Sequence, residues 1–306
     1  IAGGIEVSAG NKVSGRAFIA GADITLMNKD QRSLGSEVPD ALSSLAGYDG
    51  TITLTVDNTR LAGQRLDITS GQLVLRDGTL HLTTGEGGLI NDEPLEANVV
   101  MTLGEGYPYT GDLSGGKFDV AAFLKAEGKK PIVYADTAVS LDISGRLGDG
   151  LLSGLKASGS IDGGAGGLNF ISVPGLVAEI ETAQTGRSFL GNIGGLLRTG
   201  TTVVDNIESK FTLDSGVMLV ESAKASGQWG EFSLDGQLNF LDEFMTLKGQ
   251  LSLTNPPDTP AIPVSYQGSF DRPTAAWSSR LFERFVISII ERRLRATLFK
   301  ELEEKT

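Results

Sequence analysis

Thr51-Ile52-Thr53-Leu54-Thr55-Val56 alternates without a break. Three threonines share one side and Ile52, Leu54 and Val56 the other, the pattern of a strand with one wet and one apolar face. Leu66 and Ile68 continue the theme. Leu73-Val74-Leu75-Arg76-Asp77-Gly78-Thr79-Leu80-His81-Leu82 then reads as a hairpin. Asp77-Gly78 is its turn, because a primed two-residue turn needs positive φ at both central positions.

The same grammar returns downstream. Val139-Ser140-Leu141-Asp142-Ile143 alternates. Phe211 and Leu213 lead into Asp214-Ser215-Gly216, and either Met218 and Val220 or Val217 and Leu219 lead out. Phe232 and Leu234 precede Asp235-Gly236, with Leu238 and Phe240 after it. Leu251 and Leu253 form a strand ended by Pro256-Pro257, and Val264, Tyr266 and Phe270 belong to the last strands. Val74 to Leu80 resembles Thr212 to Met218, which fits either a duplication or an ordinary meander.

At this spacing the chain holds roughly 14–18 strands. Laid side by side at about 4.8 Å each, ~15 strands extend ~70 Å. So long a sheet must close, split into a sandwich or curl around its apolar face. A curled groove with an apolar wall and a plain sandwich with a filled core both satisfy the pattern.

Helical spacing interrupts the strands at Pro39–Leu45, Phe118–Ala126 and Pro174–Thr185, with Pro174 near a helix start. Phe189–Leu197 is apolar but contains Gly191, Gly194 and Gly195, and reads as a loose helix or a loop. Near the end, Ser278 or Ser279 can cap an amphipathic helix. Its stripe is Leu281, Phe282, Phe285, Val286, Ile289 and Ile290, and it thins beyond Arg292. That helix either plugs one end of the sheet or docks on a membrane or partner helix.

Glycine makes up 41 of 306 residues without a G-X-Y period, which excludes collagen and places most glycines at turns between strands. Gly163-Gly164-Ala165-Gly166-Gly167 and Gly85-Glu86-Gly87-Gly88 read as flexible turns; no Gly-Lys-Ser/Thr follows either.

The net charge of −12 disfavours nucleic acid, since the one dense basic run, Arg292-Arg293-Leu294-Arg295, is soon followed by Glu301, Glu303 and Glu304. With no cysteine and one histidine, thiolate chemistry and ordinary transition-metal sites have no ligands. His81 belongs to the polar face of its strand. The carboxylate pairs Asp92-Glu93 and Asp242-Glu243 lie in turns, and Glu179 and Glu181 point different ways on a helix, so none converges as a glycosidase requires. The apolar stretch from Leu281 to Leu302 is broken by Glu283, Arg284 and Glu291 and cannot span a bilayer. Ile1-Ala2-Gly3-Gly4 opens the chain without a methionine, from which a processed or excised part of a longer protein is expected.

One region has a familiar order. Phe211-Thr212-Leu213-Asp214-Ser215-Gly216-Val217 is followed by Leu219, then Leu234-Asp235-Gly236-Gln237-Leu238-Asn239-Phe240, then Leu247 to Leu253. Ile262-Pro263-Val264 with Gly268 and Pro273 closes it. This resembles the C-terminal region of AsmA-like proteins, where a hairpin with D/N-G-V precedes an I-P-V-x-x-x-G-x-x-x-x-P strand. The resemblance covers about 139–275 well and 47–100 weakly. It implies an inner-membrane anchor at a missing N-terminus and a periplasmic β-rich body that, as in the related TamB-type proteins, moves phospholipid toward the outer membrane. It brings no catalytic residue. Residues 107–135 match no family pattern, and the charged C-terminal helix is longer than the family's usual ending.

The expected fold is mainly β: a long, curled, mostly antiparallel sheet with a few short helices and a C-terminal amphipathic helix. Residues 1–135 form an N-terminal β-rich part, 136–275 the AsmA-like region and 276–306 the helix. The expected function is non-enzymatic, without cofactor or metal: a periplasmic groove for phospholipid or another acyl-chain lipid. Its candidate wall is Ile52, Leu54, Val56, Leu73, Leu75, Leu80 and Leu82, then Leu141 and Ile143, then Phe211, Leu213, Phe232, Leu234, Leu238, Phe240, Leu251 and Leu253. Trp277, Leu281, Phe282, Phe285, Val286, Ile289 and Ile290 are the candidate docking surface. The alternative is a scaffold that binds envelope proteins by strand addition at an edge such as Ile262-Pro263-Val264; a carbohydrate-active β-enzyme is a third.

Overall fold

Nearly every strand pairs with one close to it in sequence. A computed structural model describes residues 2–8, 12–24, 44–126, 128–147, 153–270 and 272–303. The expected helix at 39–45 lies almost wholly outside them. The first half contains β1 (Ala2–Ser8), β2 (Lys12–Ala20), β3 (Asp23–Ile24), β4 (Asp49–Leu61), β5 (Gln64–Arg76), β6 (Thr79–Thr83), β7 (Gly88–Ile90), β8 (Glu93–Thr102) and β9 (Pro108–Asp119), followed by α1 (Val120–Ala126). Then come β10 (Val133–Arg146), β11 (Leu155–Leu168), α2 (Val173–Thr182) and α3 (Gly186–Leu196). β12 (Thr202–Val204), β13 (Asn206–Asp214), β14 (Val217–Gly227), β15 (Gly230–Asn239), β16 (Phe244–Leu253), β17 (Ile262–Ser269), β18 (Thr274–Trp277) and α4 (Arg280–Glu303) complete the chain.

These 18 strands form one sheet, as expected of the mainly β reading. It runs in chain order from β1 to β18, with β3, β7 and β12 as short pieces beside longer neighbours. All pairings are antiparallel except those of β2 and β3 with β4. The expected boundary at 135/136 falls inside β10, which pairs with β9 on one side and β11 on the other.

The turn chemistry is local. Asp77 and Gly78 have φ of 50° and 69°, so Arg76 meets Thr79 across the hairpin as the sequence requires. Ser215-Gly216 does the same between β13 and β14. Asp235-Gly236, placed by the sequence pattern between two apolar runs, is instead the middle of β15. Gly163-Gly164-Ala165-Gly166-Gly167 is likewise strand, the end of β11, not a turn.

Space explains these strand glycines. A Cβ on Gly159 would lie 2.6 Å from Leu141 Cδ2, one on Gly111 2.9 Å from Val99 Cγ2 and one on Gly249 2.8 Å from Leu234 Cδ2. Each glycine faces a large apolar neighbour that leans over it. Pairing large with absent side chains thins one face of the sheet, and that face can then curl inward. Register shifts in β4–β5, β9–β10, β10–β11, β13–β14 and β14–β15 add further bends.

One ion pair measures the curl. Lys129, just before β10, contacts Glu243 in the β15–β16 turn at 2.9 Å. In a flat sheet these residues would sit at opposite strand ends and several strands apart, roughly 40 Å away from each other. Contact requires the sheet to wrap around its apolar side.

The helices lie on that inner side in the C-terminal half. Ser172 caps α2 by accepting from Gly175 N at 3.2 Å, and Thr185 caps α3 by accepting from Ser188 N at 3.2 Å. Gly191, Gly194 and Gly195 do not break α3; a Cβ at any of them would meet nothing within 4 Å. Ser279 Oγ accepts from Phe282 N at 3.1 Å and starts α4. Leu176, Ile180, Phe189, Ile193, Phe282 and Val286 are at most 1 % exposed and pack with Phe232, Leu251, Ile262 and Val264 of the sheet. Tyr266 donates its hydroxyl to the Leu197 carbonyl at 3.2 Å, and burial pushes its pKa up. Arg293 donates to the carbonyls of Ile180 and Glu181 at the end of α2, where a cation also meets the negative pole of the helix dipole.

Candidate functional site

The cross-strand registers settle which side chains share a face. Ile52, Leu73, Leu82, Val99, Gly111, Ile143, Ala157, Leu213, Met218, Leu238 and Met245 follow one another as Cα partners across the sheet. A second row runs through Ala97, Leu113, Leu141, Gly159, Phe211, Val220, Gly236, Leu247 and Tyr266. Most apolar positions of β4 to β17 therefore lie on one continuous face, and the opposite face carries mainly Thr, Ser, Asp and Lys, with Val74, Val100 and Leu219 among them.

Burial divides this face into three. In the C-terminal third it is sealed by α2, α3 and α4. Phe232, Leu251 and Leu253 are at most 8 % exposed there, and Leu234 and Leu238 pack against the same cluster. At the N-terminal end Ile52 and Leu75 join Val13 and Leu103 in a second core, with Leu73 and Leu80 against it. Val56, Phe211 and Leu213 are buried as well. These positions of the expected wall are filled by protein, and an acyl chain cannot replace water there.

The middle third differs. Leu82, Val99, Leu113, Val139, Leu141, Ile143 and Ile161 are all only half-buried and belong to neither core. They lie outside the cluster sealed by α2, α3 and α4, and α1 contacts β10 beside them. Of the expected wall, Leu82, Leu141 and Ile143 lie in this stripe. Leu54 is half-buried further out, and Phe240 is half-buried against Phe270, with ring centroids 5.8 Å apart. Val99, Leu113 and Ile161 escaped the sequence reading, and Val139, read as part of an alternating strand, was not placed in the wall. The signal was there in Thr110-Gly111-Asp112-Leu113-Ser114-Gly115, where polar residues alternate with Gly or Leu, but glycine hid the apolar face.

The borders of the stripe are polar and structural. Buried Gln64 donates to the Asp119 carbonyl at 3.0 Å and accepts from Asp119 N at 2.8 Å and Asn91 Nδ2 at 2.7 Å, fixing α1 over the β4–β5 turn. Phe118 and Phe123 meet with tilted rings, centroids 5.6 Å apart.

The charged pairs do not converge on the stripe. Asp92 pairs with Arg65 at 3.1 Å, Asp242 accepts from Asn239, and Glu179 accepts from Asn192. His81 is exposed on the outer face opposite Val74 and Val100. Among the described residues no three metal-ligating groups cluster. A cavity of about 590 Å³ opens on the far side of α2, lined by Pro174, Val177, Glu181, Val203, Asp205 and Trp229. Trp229 spends its indole N–H on the Val203 carbonyl at 2.7 Å.

The expected docking residues are also redistributed. Phe282, Val286 and Ile290 are at most 4 % exposed and form the seam of α4 with the body. Trp277, Phe285 and Ile289 pack on the same core, Trp277 edge-on to Phe282 at 6.4 Å. Only Leu281 is free, at 69 % exposure. No helix among the described residues is long and apolar enough to cross a membrane.

Comparison with known protein families, characterised proteins and solved structures finds no match for this chain.

Proposed function

We propose that the chain is a non-enzymatic lipid-holding groove of the bacterial periplasm, the reading its resemblance to AsmA-like proteins implies. One observation carries it: an apolar face that is continuous across the sheet is sealed at both ends and, among the described residues, lies outside both cores along the stripe from Leu82 to Ile161. A run of partly exposed Leu, Ile and Val on a curled sheet costs free energy in water and gains it on contact with hydrocarbon, about 0.8 kcal/mol per methylene buried. The chemistry is passive. An acyl chain lies along Leu82, Val99, Leu113, Leu141, Ile143 and Ile161, and no bond is made or broken. The resemblance also implies an inner-membrane anchor, which would hold the groove near its lipid source.

The test is native mass spectrometry with lipid extraction on the chain purified from a bacterial envelope, for the parent and for Leu141→Asp. The expected result is bound phospholipid on the parent and its loss on Leu141→Asp, with the melting temperature little changed. A lipid-free parent, or a variant that keeps its lipid, overturns the reading.

A second reading, strand addition of an envelope protein, has one observation in its favour. β18 pairs with only Val264–Gln267 of β17, and no strand covers its outer side among the described residues. A partner held there would slow amide exchange of Thr274–Trp277 and leave lipid retention untouched.

A further inference from the structure

One polar side chain stands on the inner face beside the open stripe. Tyr109 of β9 pairs with Met101 of β8 and with Gly145 of β10, and Gly145 pairs with Leu155 of β11. The next row on the same face is Val99, Gly111, Ile143 and Ala157, so the phenol lies one row from Ile143. Its place depends on an absent side chain. A Cβ on Gly145 would lie 2.7 Å from the Tyr109 hydroxyl oxygen and 2.9 Å from Cζ. The ring therefore crosses β10 over Gly145, on the groove side.

Tyr109 is only 9 % exposed, yet its hydroxyl makes no hydrogen bond with the described residues. Tyr266, which is also buried, donates to the Leu197 carbonyl. Buried polar groups are normally paired. Among the described residues no fully sealed side-chain nitrogen or oxygen lacks a partner, so the Tyr109 oxygen is reached from the space above the sheet. Burial pushes the pKa of this phenol up, which keeps it protonated and able to donate.

The surroundings select the acceptor. No charged side chain belongs to these two rows, nor to the rows of Leu141 and Val139 beyond them. Arg146 follows Gly145 and takes the other face by alternation. A free carboxylate over Gly145 would lose its water with no cation in return. An ester carbonyl is a neutral acceptor, and it sits where an acyl chain begins. From Gly145 to Val139 the strand advances six residues, about 20 Å, past Ile143 and Leu141. That is the reach of an extended acyl chain.

We infer that Tyr109 is the polar anchor of the groove, donating to the ester carbonyl of a glycerolipid whose chain runs from Gly145 toward Val139 and Ile161. The inference rests on the groove reading and adds a direction and a ligand chemistry to it: ester-linked lipid is preferred over ether-linked lipid.

The test is isothermal calorimetry of the whole chain with a diester phosphatidylcholine and with its diether analogue of the same chain length, each below its micelle-forming concentration. The parent should bind the diester about five- to tenfold more tightly, the worth of one hydrogen bond. Tyr109→Phe should lower diester affinity to that of the diether and leave diether affinity and the melting temperature unchanged, since the hydroxyl has no protein partner to lose. Leu141→Asp should weaken both lipids alike. Equal binding of the two lipids by the parent, or an ester preference that survives Tyr109→Phe, overturns the anchor and leaves the groove standing. A parent that binds neither lipid overturns the groove, and the anchor with it.

Discussion

The C-terminal and central parts of the sheet share antiparallel strands and the same alternation, but among the described residues α2, α3 and α4 roof only the first. Phe232 and Leu251 on β15 and β16 are at most 2 % exposed beneath α2, α3 and α4. Leu113 and Leu141 on β9 and β10 lie on the same face, in a different row, and are half-buried, outside the cluster those helices seal. The difference does not lie in the strands. It lies in the connections: the link from β11 to β12 contains two helices, whereas β8 to β9 and β9 to β10 are joined by a tight turn and by the seven-residue α1. A one-faced sheet becomes a core or a binding surface according to where its helices are spent.

This contrast can be broken most severely on the roofed side. Leu251→Ala should cost about 2–5 kcal/mol, because a fully buried side chain leaves a cavity. Leu141→Ala on the open side should cost less, about 1 kcal/mol, since part of its surface is already in water. Urea titration of the two variants measures the gap; equal losses would show the central stripe to be as tightly packed as the core.

The next effect is a pH dependence. Burial raises the pKa of Tyr266 and, more mildly, of Tyr109. The fold holds both phenols neutral, so their contribution is fully present below the ordinary tyrosine value of about 10 and is lost as pH rises beyond it. Tyr266→Phe should cost about 1 kcal/mol at neutral pH through the lost bond to Leu197, and should flatten the alkaline decline seen in melts from pH 8 to 11. A decline as steep as the parent's would place its source elsewhere.

Smaller again is the clasp across the curl. Lys129 and Glu243 are partly exposed, at 22 % and 39 %, so Lys129→Ala should cost no more than about 0.5–1 kcal/mol. Chemical denaturation in low and high salt checks it: the deficit should shrink as salt screens the pair in the parent. Least of all, Leu298→Ala, far along the free half of α4, should leave stability within about 0.5 kcal/mol of the parent, and a thermal melt decides that.

Much of this architecture was legible in the sequence. Period-two alternation assigns Ile52, Leu141 and Leu234 to the apolar face because side-chain direction is a local property of the strand. Asp77-Gly78 announces its turn for the same reason. Two things were hidden. Gly236 and the run from Gly163 to Gly167 look like turns in isolation, and only the neighbouring strands reveal that a Cβ on Gly236 would meet the backbone of Thr246 and Leu247 and one on Gly163 the side chain of Thr137. The second is coverage: nothing in Leu251 or Leu141 says which of them a helix will seal, because that depends on residues far away in the chain. The stripe of α4 shows the same limit, since Phe282 and Leu298 look alike until the body ends beneath them.

The in-order pairing of the strands bears on how the molecule is made. When each strand hydrogen-bonds to the next, most contacts span few residues, and contact order is low for a β-protein. Each hairpin offers a finished edge to the one that follows, so the sheet can lengthen in the direction in which the chain emerges. Its slow steps should fall where that rule is broken: at β4, whose partner β2 is parallel and reached only through a long connection, and at α2 to α4, which must wait for β15 to β18 before they have a surface to cover.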